Sequence, residues 1–271
     1  MPIAALELAA LLIVSAPAAA VDDAPARIPR GDRLVLQAST GGGYVPVDVA
    51  RNQFPELTIT GDGRVITLGP TTLEYPPRAL PNLQVGRISR ARVRALVKTA
   101  ATLGLLDEEH PDYGDPQITD NPSTTVTVVA DGERFTTSMY APGYDGDDLT
   151  DEQRSNRTAL LNFLGKASTT RRTKAYEPEA MAVVITRADV SQTPDSPAVQ
   201  WPLGDLAVAA PAPGSDAGDF ACIVVSGADL AGVLDAAATA STESSWISEG
   251  QQYDLVLRPL LPYQHDCADV N

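Results

Sequence analysis

The stretch ELTITGDGRVITL, residues 56–68, decides the fold class of this chain. In it, two runs that alternate apolar or β-branched residues with others flank Gly61-Asp62-Gly63. Such alternation is typical of a strand with one buried face, and an Asp-Gly pair supplies the positive-φ residues that a tight hairpin turn needs. The stretch therefore predicts an antiparallel β-hairpin, in which Asp62 is a turn residue and not a catalyst.

A second hairpin is predicted further along the chain. Residues 125–129 (TVTVV) and 134–139 (RFTTSM) are rich in β-branched residues, and Asp131-Gly132 lies between them. This repeats the turn chemistry of the first hairpin, because Asp-Gly again occupies the tight connection. Two hairpins in one segment predict an antiparallel sheet.

The segment between the hairpins predicts an amphipathic helix. Apolar side chains recur at helical spacing through residues 88–103, with Ser89 as the N-cap and Gly104 as the terminator. A second helix is predicted from residue 151 to residue 163. The apolar residues that we expect this second helix to turn toward the sheet are Leu160, Leu161 and Phe163.

The C-terminal part repeats this layout in outline. Strands are predicted over residues 181–186, 222–226 and 253–258, with a third helix capped by Ser226. The apolar residues and the Ser cap of this helix match those of the first helix at a constant difference in residue number. Common packing of amphipathic helices explains that match better than an internal duplication does. We expect an α+β fold of two small antiparallel sheets, each covered by amphipathic helices.

The chain is interpreted as two domains behind an export signal. An apolar run followed by Ala and Pro in the first twenty residues matches a signal peptide, although no Lys or Arg precedes it and Glu7 lies close before it. No Cys follows the run to carry a lipid anchor, and no later stretch approaches the ~18 apolar residues of a membrane span. The segments are 1–20 signal peptide, 21–32 flexible tether, 33–167 α+β domain with two hairpins and two helices, 168–176 linker and 177–271 acidic α+β domain.

The two cysteines, Cys222 and Cys267, both lie in the last fifty residues. In an exported protein an isolated pair in one domain predicts a disulfide. Two reduced core thiols are the alternative if the chain is not exported. A structural zinc site is disfavoured, because two thiols and the neighbouring His265 are one ligand short.

The formal charge of −15 is unevenly distributed. From residue 176 to the end, fourteen Asp and Glu face only Arg187 and Arg258, which gives −12. A C-terminal half that carries −12 repels phosphate backbones, so nucleic acid is not expected as a partner. A solvated acidic surface that keeps an exported protein in solution is the simpler interpretation.

An acidic stretch, GYDGDDLTDEQ at residues 143–153, raises the question of a calcium or catalytic site. Its second part is explained by helix initiation, since Thr150 and Gln153 match a capping box. The remaining carboxylates of this stretch could lie close to those of the loop that precedes the second hairpin. Together they could supply oxygen ligands to calcium, which requires six or more. The candidate calcium ligands are Asp115, Asp120, Asp145, Asp147 and Asp148. No other cofactor is expected.

Catalytic motifs are scarce. His110 and His265 are the only histidines, both in polar loops, and neither a Gly-x-Ser-x-Gly elbow nor a His-Glu-x-x-His pair is present. With 5% aromatic residues the chain also offers few sugar-stacking platforms for a glycosidase built on paired carboxylates. Whether the protein is an enzyme stays open, and we favour a non-enzymatic role.

The motifs of the first half resemble a group of uncharacterised exported proteins. They are GGYVP at residues 42–46, the stretch from Phe54 through Ile66, the Ser-capped helix, and YGDP at residues 113–116. The arrangement resembles cell-envelope proteins of high-GC Gram-positive bacteria, often assigned as lipoproteins. It covers roughly residues 33–166 and, through Trp201-Pro202-Leu203 and the cysteines, part of the second half. The resemblance implies export but no activity, and this chain departs from it by lacking a lipobox cysteine.

Three functional hypotheses follow. The favoured one is an exported, non-enzymatic interaction or ligand-binding protein of the secreted fraction or cell envelope, whose partner is an unknown protein or cell-wall component. The second is a secreted proteinase inhibitor that presents the Pro-rich segment 201–219 as an exposed loop. The third is a hydrolase or calcium site on the acidic rim. The sequence leaves the oligomeric state open.

Overall fold

A computed structural model describes residues 26–45, 53–188, 196–212 and 220–270 of the chain. Two β-sheets and three α-helices make up this part, and the fold is α+β as predicted. The predicted signal peptide and residues 21–25 of the predicted tether lie outside the described residues. The rest of that segment is not a free tether, because the Arg27 amide donates to the Asp131 carboxylate at 2.8 Å and Ile28 packs against the core of the first half. No helix in the described ranges is long and apolar enough to cross a membrane.

The first sheet is antiparallel and has seven strands. These strands are β1 Leu34–Gly41, β2 Leu57–Thr60, β3 Arg64–Leu68, β4 Leu83–Arg87, β5 Ser123–Ala130, β6 Glu133–Tyr140 and β7 Thr173–Ala175. Their order across the sheet is β6-β5-β1-β2-β3-β4-β7. The two hairpins predicted from the sequence are therefore present, as β2–β3 and β5–β6, and both turn at their Asp-Gly pairs.

The first hairpin turn is fixed by close packing as well as by its dihedral angles. Gly63 has a φ of +86°, and a Cβ atom at this position would lie 2.2 Å from the carbonyl oxygen of Ile88. The Asp62 carboxylate accepts hydrogen bonds from the Thr60 hydroxyl and the Arg64 backbone amide. Asp62 is thus a turn residue, as the sequence predicts.

Two helices cover one face of the first sheet. They are α1 Arg90–Thr102 and α2 Asp151–Ser168. Ser89 caps α1 by accepting from the Arg92 amide, and Thr150 with Gln153 forms the predicted capping box at α2. The buried residues of this layer include Ile59, Val93, Val126, Leu160 and Phe163. Their amphipathic pattern places the main core of the first half between helices and sheet.

The second sheet has five strands. They are β8 Ala180–Arg187, β9 Ser196–Gln200, β10 Ala221–Ser226, β11 Ser244–Ser248 and β12 Gln251–Pro259, in the order β10-β8-β12-β11-β9. Helix α3, Ala228–Ala237, packs on one face over a core that contains the edge-to-face pair Trp201 and Trp246, with ring centroids 6.0 Å apart. The opposite face carries Cys222 and Cys267, whose sulfur atoms lie at bonding distance, 1.97 Å. The predicted cysteine pairing is therefore present.

Several local predictions were wrong. Helix α3 is capped by Gly227 and not by Ser226, because Ser226 still pairs in β10 and Gly227, with a φ of +61°, turns the chain into the helix. Leu161 is 41% exposed, since of the three predicted inner residues only Leu160 and Phe163 are buried in α2. The predicted linker, residues 168–176, instead contains the last residue of α2 and all of β7, which pairs with β4.

The two halves contact each other through the face of the first sheet that the helices leave uncovered. A small apolar cluster joins Phe54, Ile66 and Leu83 of the first half to Leu261 of the second. The Tyr176 hydroxyl donates to the Leu260 carbonyl at 2.7 Å. An apolar cluster and a hydrogen bond therefore join the two halves at their junction.

Candidate functional site

A large cleft lies where the two halves meet, and its volume is about 1020 Å³. The first half contributes Phe54 and Glu56 and the loop from Gly69 to Asn82, and the second half contributes Thr242, Glu243 and residues 255–257 of β12. Ligand sites occur preferentially at such junctions, and their usual volume is about 300–1,000 Å³. The cleft is therefore the first candidate site.

The loop between β3 and β4 forms one wall of the cleft and is fixed at both of its ends. At its base the Gly69 amide donates to the Asn82 carbonyl at 2.7 Å. At its tip the Ala79 amide donates to the Ala240 carbonyl at 3.0 Å, and the Thr242 amide donates to the Pro77 carbonyl at 2.8 Å. This wall loop, residues 69–82, therefore belongs to the first half in sequence but is hydrogen-bonded to the second.

The floor of the cleft is apolar, and its rim carries two carboxylates among mostly neutral polar residues. Leu255 and Leu257 of β12 and Phe54 line the floor, and all three are buried. The rim carboxylates are held by hydroxyl groups from two directions. Glu56 accepts from the Thr40 hydroxyl at 3.0 Å, and Glu243 accepts a short hydrogen bond from the Tyr75 hydroxyl. The one cationic side chain among the lining residues is that of Arg78.

The acidic loop singled out in the sequence does meet the earlier loop, but mainly through hydrogen bonds to neutral groups. Asp148 accepts from the Tyr144 hydroxyl at 2.6 Å and from the Gln117 amide at 3.3 Å. Asp112 accepts from the Gln153 side chain at 2.8 Å. The hydrogen bond from Tyr144 lowers the pKa of Asp148, and the one from Gln153 lowers the pKa of Asp112.

Two arginines of α2, Arg154 and Arg157, hold the acidic loop and lie close to its carboxylates. Arg157 is buried and donates to the backbone carbonyls of Tyr113, Tyr140 and Ala141. Burial lowers the pKa of Arg157, while the nearby Asp145 and Asp148 oppose that shift. Arg154 donates to the Leu149 carbonyl at 2.6 Å and to the Asp151 carboxylate at 2.8 Å. The carboxylates thus act as counter-charges to cations that hold the loop on the helix.

The five candidate calcium ligands are placed without a common centre. Asp120 has a φ of +60° and lies beside Gly43, at the end of β1. Asp148 is engaged as described above, and Asp145 and Asp147 act electrostatically on Arg154. Asp115 contacts Gln117 through its backbone carbonyl. Across the four described ranges, no group of three or more His, Cys, Asp or Glu side chains could hold a metal ion. The geometry adds no support to the calcium hypothesis.

The other candidates from the sequence are the two histidines and the Pro-rich segment of the inhibitor hypothesis. Neither His110 nor His265 hydrogen-bonds through its ring to another residue in the described part of the chain. In the Pro-rich segment of the inhibitor hypothesis, Trp201, Leu206 and Ala212 are buried, so its described part is docked on the second half. Residues 213–219 lie outside the described residues.

No family model, curated protein or solved structure matches the chain. The resemblance to exported cell-envelope proteins therefore stays a prediction based on motifs.

The residues of the cleft were not singled out by their sequence. Glu56 belongs to the hairpin stretch, and the wall loop was recognised only as a Pro-rich connection. Glu243 lies in a polar segment without periodicity. A cleft formed by two halves that are distant in sequence has no local signature, although the prolines of the wall loop do indicate a rigid loop.

Proposed function

We propose that this chain is an exported ligand-binding protein whose site is the cleft between its halves. The observation that carries the proposal is the wall loop, which is hydrogen-bonded to both halves and bounds an apolar-floored cleft of about 1020 Å³. The predicted signal peptide and the bonded cysteine pair support export, since disulfides persist in oxidising compartments. The lack of a nucleophile–base arrangement in the sequence favours binding over catalysis.

The cleft is preorganised for binding. Its wall loop contains Pro76, Pro77 and Pro81, which restrict the backbone, and the hydrogen bonds at both ends fix its position. A site that is already ordered loses little conformational entropy when a ligand enters. A small or medium-sized ligand therefore has a defined surface to contact without rearrangement of the halves.

The lining indicates the chemistry of the ligand. An apolar floor favours an aromatic or aliphatic body, because burial of apolar surface contributes about 25 cal/mol per Å². Among the lining residues the carboxylates of Glu56 and Glu243 outnumber the one cation, Arg78, and favour a cationic group on that body. The Arg258 guanidinium, which stacks on Phe54, is buried and does not line the cleft. We therefore infer a ligand with an apolar body and an amine or guanidinium group, such as an amphipathic small molecule or a short basic peptide.

Backbone NMR titration with three small probes of similar shape tests this proposal. The probes are 2-phenylethylamine, the neutral 2-phenylethanol and the anionic 3-phenylpropionate. We expect saturable shifts centred on the wall loop and β12, strongest for the amine. Glu243→Gln should weaken the amine more than the alcohol, whereas Glu133→Gln on the distant β5–β6 hairpin should change neither.

A steric variant provides the second arm of the test. Thr242 is exposed on the cleft, so Thr242→Trp should block binding of all three probes while the fold is kept. The matched control is Thr239→Trp, also at an exposed position but outside the cleft lining. Equal binding by both tryptophan variants, or shifts scattered over the whole surface, would refute the cleft as the binding site.

A further inference from the structure

A second recess, of about 480 Å³, lies at the β7 edge of the first sheet and is basic. Arg64, Arg87, Arg172 and Lys174 line it, with the Tyr176 ring and the Glu177 carboxylate. Four cations around one recess are unexpected in a chain of net charge −15. The recess is separate from the cleft, since the two share no lining residue.

Strand register places the cations together. Arg64 of β3 pairs directly with Arg87 of β4, and Val85 of β4 pairs with Lys174 of β7. Because residues two apart in a strand point to the same face, Arg64, Arg87 and Lys174 share one face of the sheet. Like charges directly opposite one another are destabilising unless something between them compensates.

One carboxylate partly compensates this arginine pair. Asp62 lies 3.0 Å from Nε of Arg64 and 3.8 Å from a terminal nitrogen of Arg87. Within the described part of the chain, neither terminal nitrogen of Arg64 donates a hydrogen bond to another residue. Arg87 remains 69% exposed. Asp62 therefore leaves most of the guanidinium donors of the pair unoccupied.

The other two cations are also incompletely compensated. Lys174 lies 3.5 Å from Glu177, and Arg172 forms no ion pair with any described residue. Counting Asp62 and Glu177 against the four cations leaves a net charge of +2 at the recess. Glu179 acts electrostatically on Tyr176 beside the recess and lowers this excess to +1. Asp and Glu are absent from residues 153–176 and from residues 75–106, which flank the recess in sequence.

We propose that this recess is a binding site for a small phosphate- or sulfate-bearing molecule. Guanidinium groups present planar pairs of donors that match the tetrahedral oxygens of such anions, and three arginines line the recess. A ligand oxygen placed between Arg64 and Arg87 would relieve their repulsion. Its other oxygens would accept from Arg172 and Lys174 at the rim. The recess thus binds the anionic group of a ligand, whereas the acidic second half repels extended anionic polymers.

Isothermal titration calorimetry of the full chain with inorganic pyrophosphate, at low ionic strength and neutral pH, tests the site. We expect one saturable event per chain. Since each charge-assisted contact that is lost costs about tenfold in affinity, Arg172→Gln and Arg87→Gln should each weaken binding by about that factor. Asp62→Asn should strengthen it several-fold, because the competing carboxylate becomes neutral without a change of shape.

The control variant is Arg134→Gln, at an exposed position on β6, the opposite edge strand of the same sheet. Its affinity for pyrophosphate should stay within twofold of the wild type. Absence of saturable binding would overturn the proposal, and so would an equal loss of affinity in Arg134→Gln. Long-chain polyphosphate supplies a further arm. If it binds, but pyrophosphate does not, and the affinity depends on Arg90 and Arg94 of α1, the arginines of α1 bind a polymer and the proposal is wrong.

Discussion

The guanidinium of Arg258 stacks on the Phe54 ring, with its central carbon 4.5 Å from the ring centroid. Arg258 belongs to β12 of the second sheet, and its Nη1 also donates to the Gln53 carbonyl at 2.8 Å. Burial lowers the pKa of Arg258, and the nearby Tyr263 opposes that shift. A buried cation from one half is thus held by the ring and backbone of the other, beside the floor of the cleft.

Replacement of Arg258 should therefore loosen the junction between the halves. Arg258→Met removes the stacking and leaves the Gln53 carbonyl without its donor, and we expect a loss of about 2–4 kcal/mol of unfolding free energy. The matched control is Arg187→Met, at an exposed position of β8 in the same sheet. Chemical denaturation followed by tryptophan fluorescence measures the difference. Equal stability of the two variants would contradict the role given to Arg258.

The same reasoning applies to Arg157 in α2. Arg157→Met removes the donor from three backbone carbonyls, and we expect a loss of about 2–4 kcal/mol, since unsatisfied buried acceptors are costly. Lys166→Met, at an exposed position of the same helix, should stay within about 0.5 kcal/mol of the wild type. Thermal unfolding by circular dichroism provides the comparison. A wild-type melting temperature in Arg157→Met would show that the loop is held in another way.

Asp62 predicts a dependence of stability on pH. Burial raises the pKa of Asp62, but the hydrogen bonds from Thr60 and Arg64 and the charge of Arg64 outweigh burial and lower it below 3.8. A lowered pKa in the folded state stabilises the fold above the unfolded pKa, and this contribution is lost as the pH falls through the folded value. The wild type should therefore be more stable than Asp62→Asn at neutral pH, and the gap should close below about pH 4. A gap that is constant down to about pH 2 would contradict the shift.

The cysteine pair predicts a response to reductant. Cys222 and Cys267 are 45 residues apart in sequence, and closing such a loop stabilises by about 3–4 kcal/mol in the chain-entropy description. The double variant Cys222→Ala with Cys267→Ala should lose about this amount. Dithiothreitol should lower the melting temperature of the wild type but not that of the double variant. Identical melting curves of the wild type with and without reductant would show that the pair does not stabilise the fold.

The features predicted correctly from the sequence are those that depend on residues close together in the chain. The two Asp-Gly hairpins, the Ser89 cap and the Thr150–Gln153 capping box were identified because each depends on residues within a few positions of one another. Short strands without strong alternation were missed, among them β4, β9 and β11. The reason is that their strand conformation is imposed by neighbours distant in sequence, as when β9 pairs in parallel with β11.

By itself, then, the sequence determined the hairpins, the amphipathic helices and the α+β class, since turn dihedrals and periodicity are properties of short segments. It also determined the cysteine pair, because the chain has only two cysteines to join. Only the tertiary structure decided that the halves share a cleft, that Arg258 meets Phe54, and that β7 brings Lys174 beside Arg64 and Arg87. Those relationships join residues far apart in the chain. They depend on strand register and on the packing of one sheet against the other half, and neither leaves a pattern in neighbouring residues.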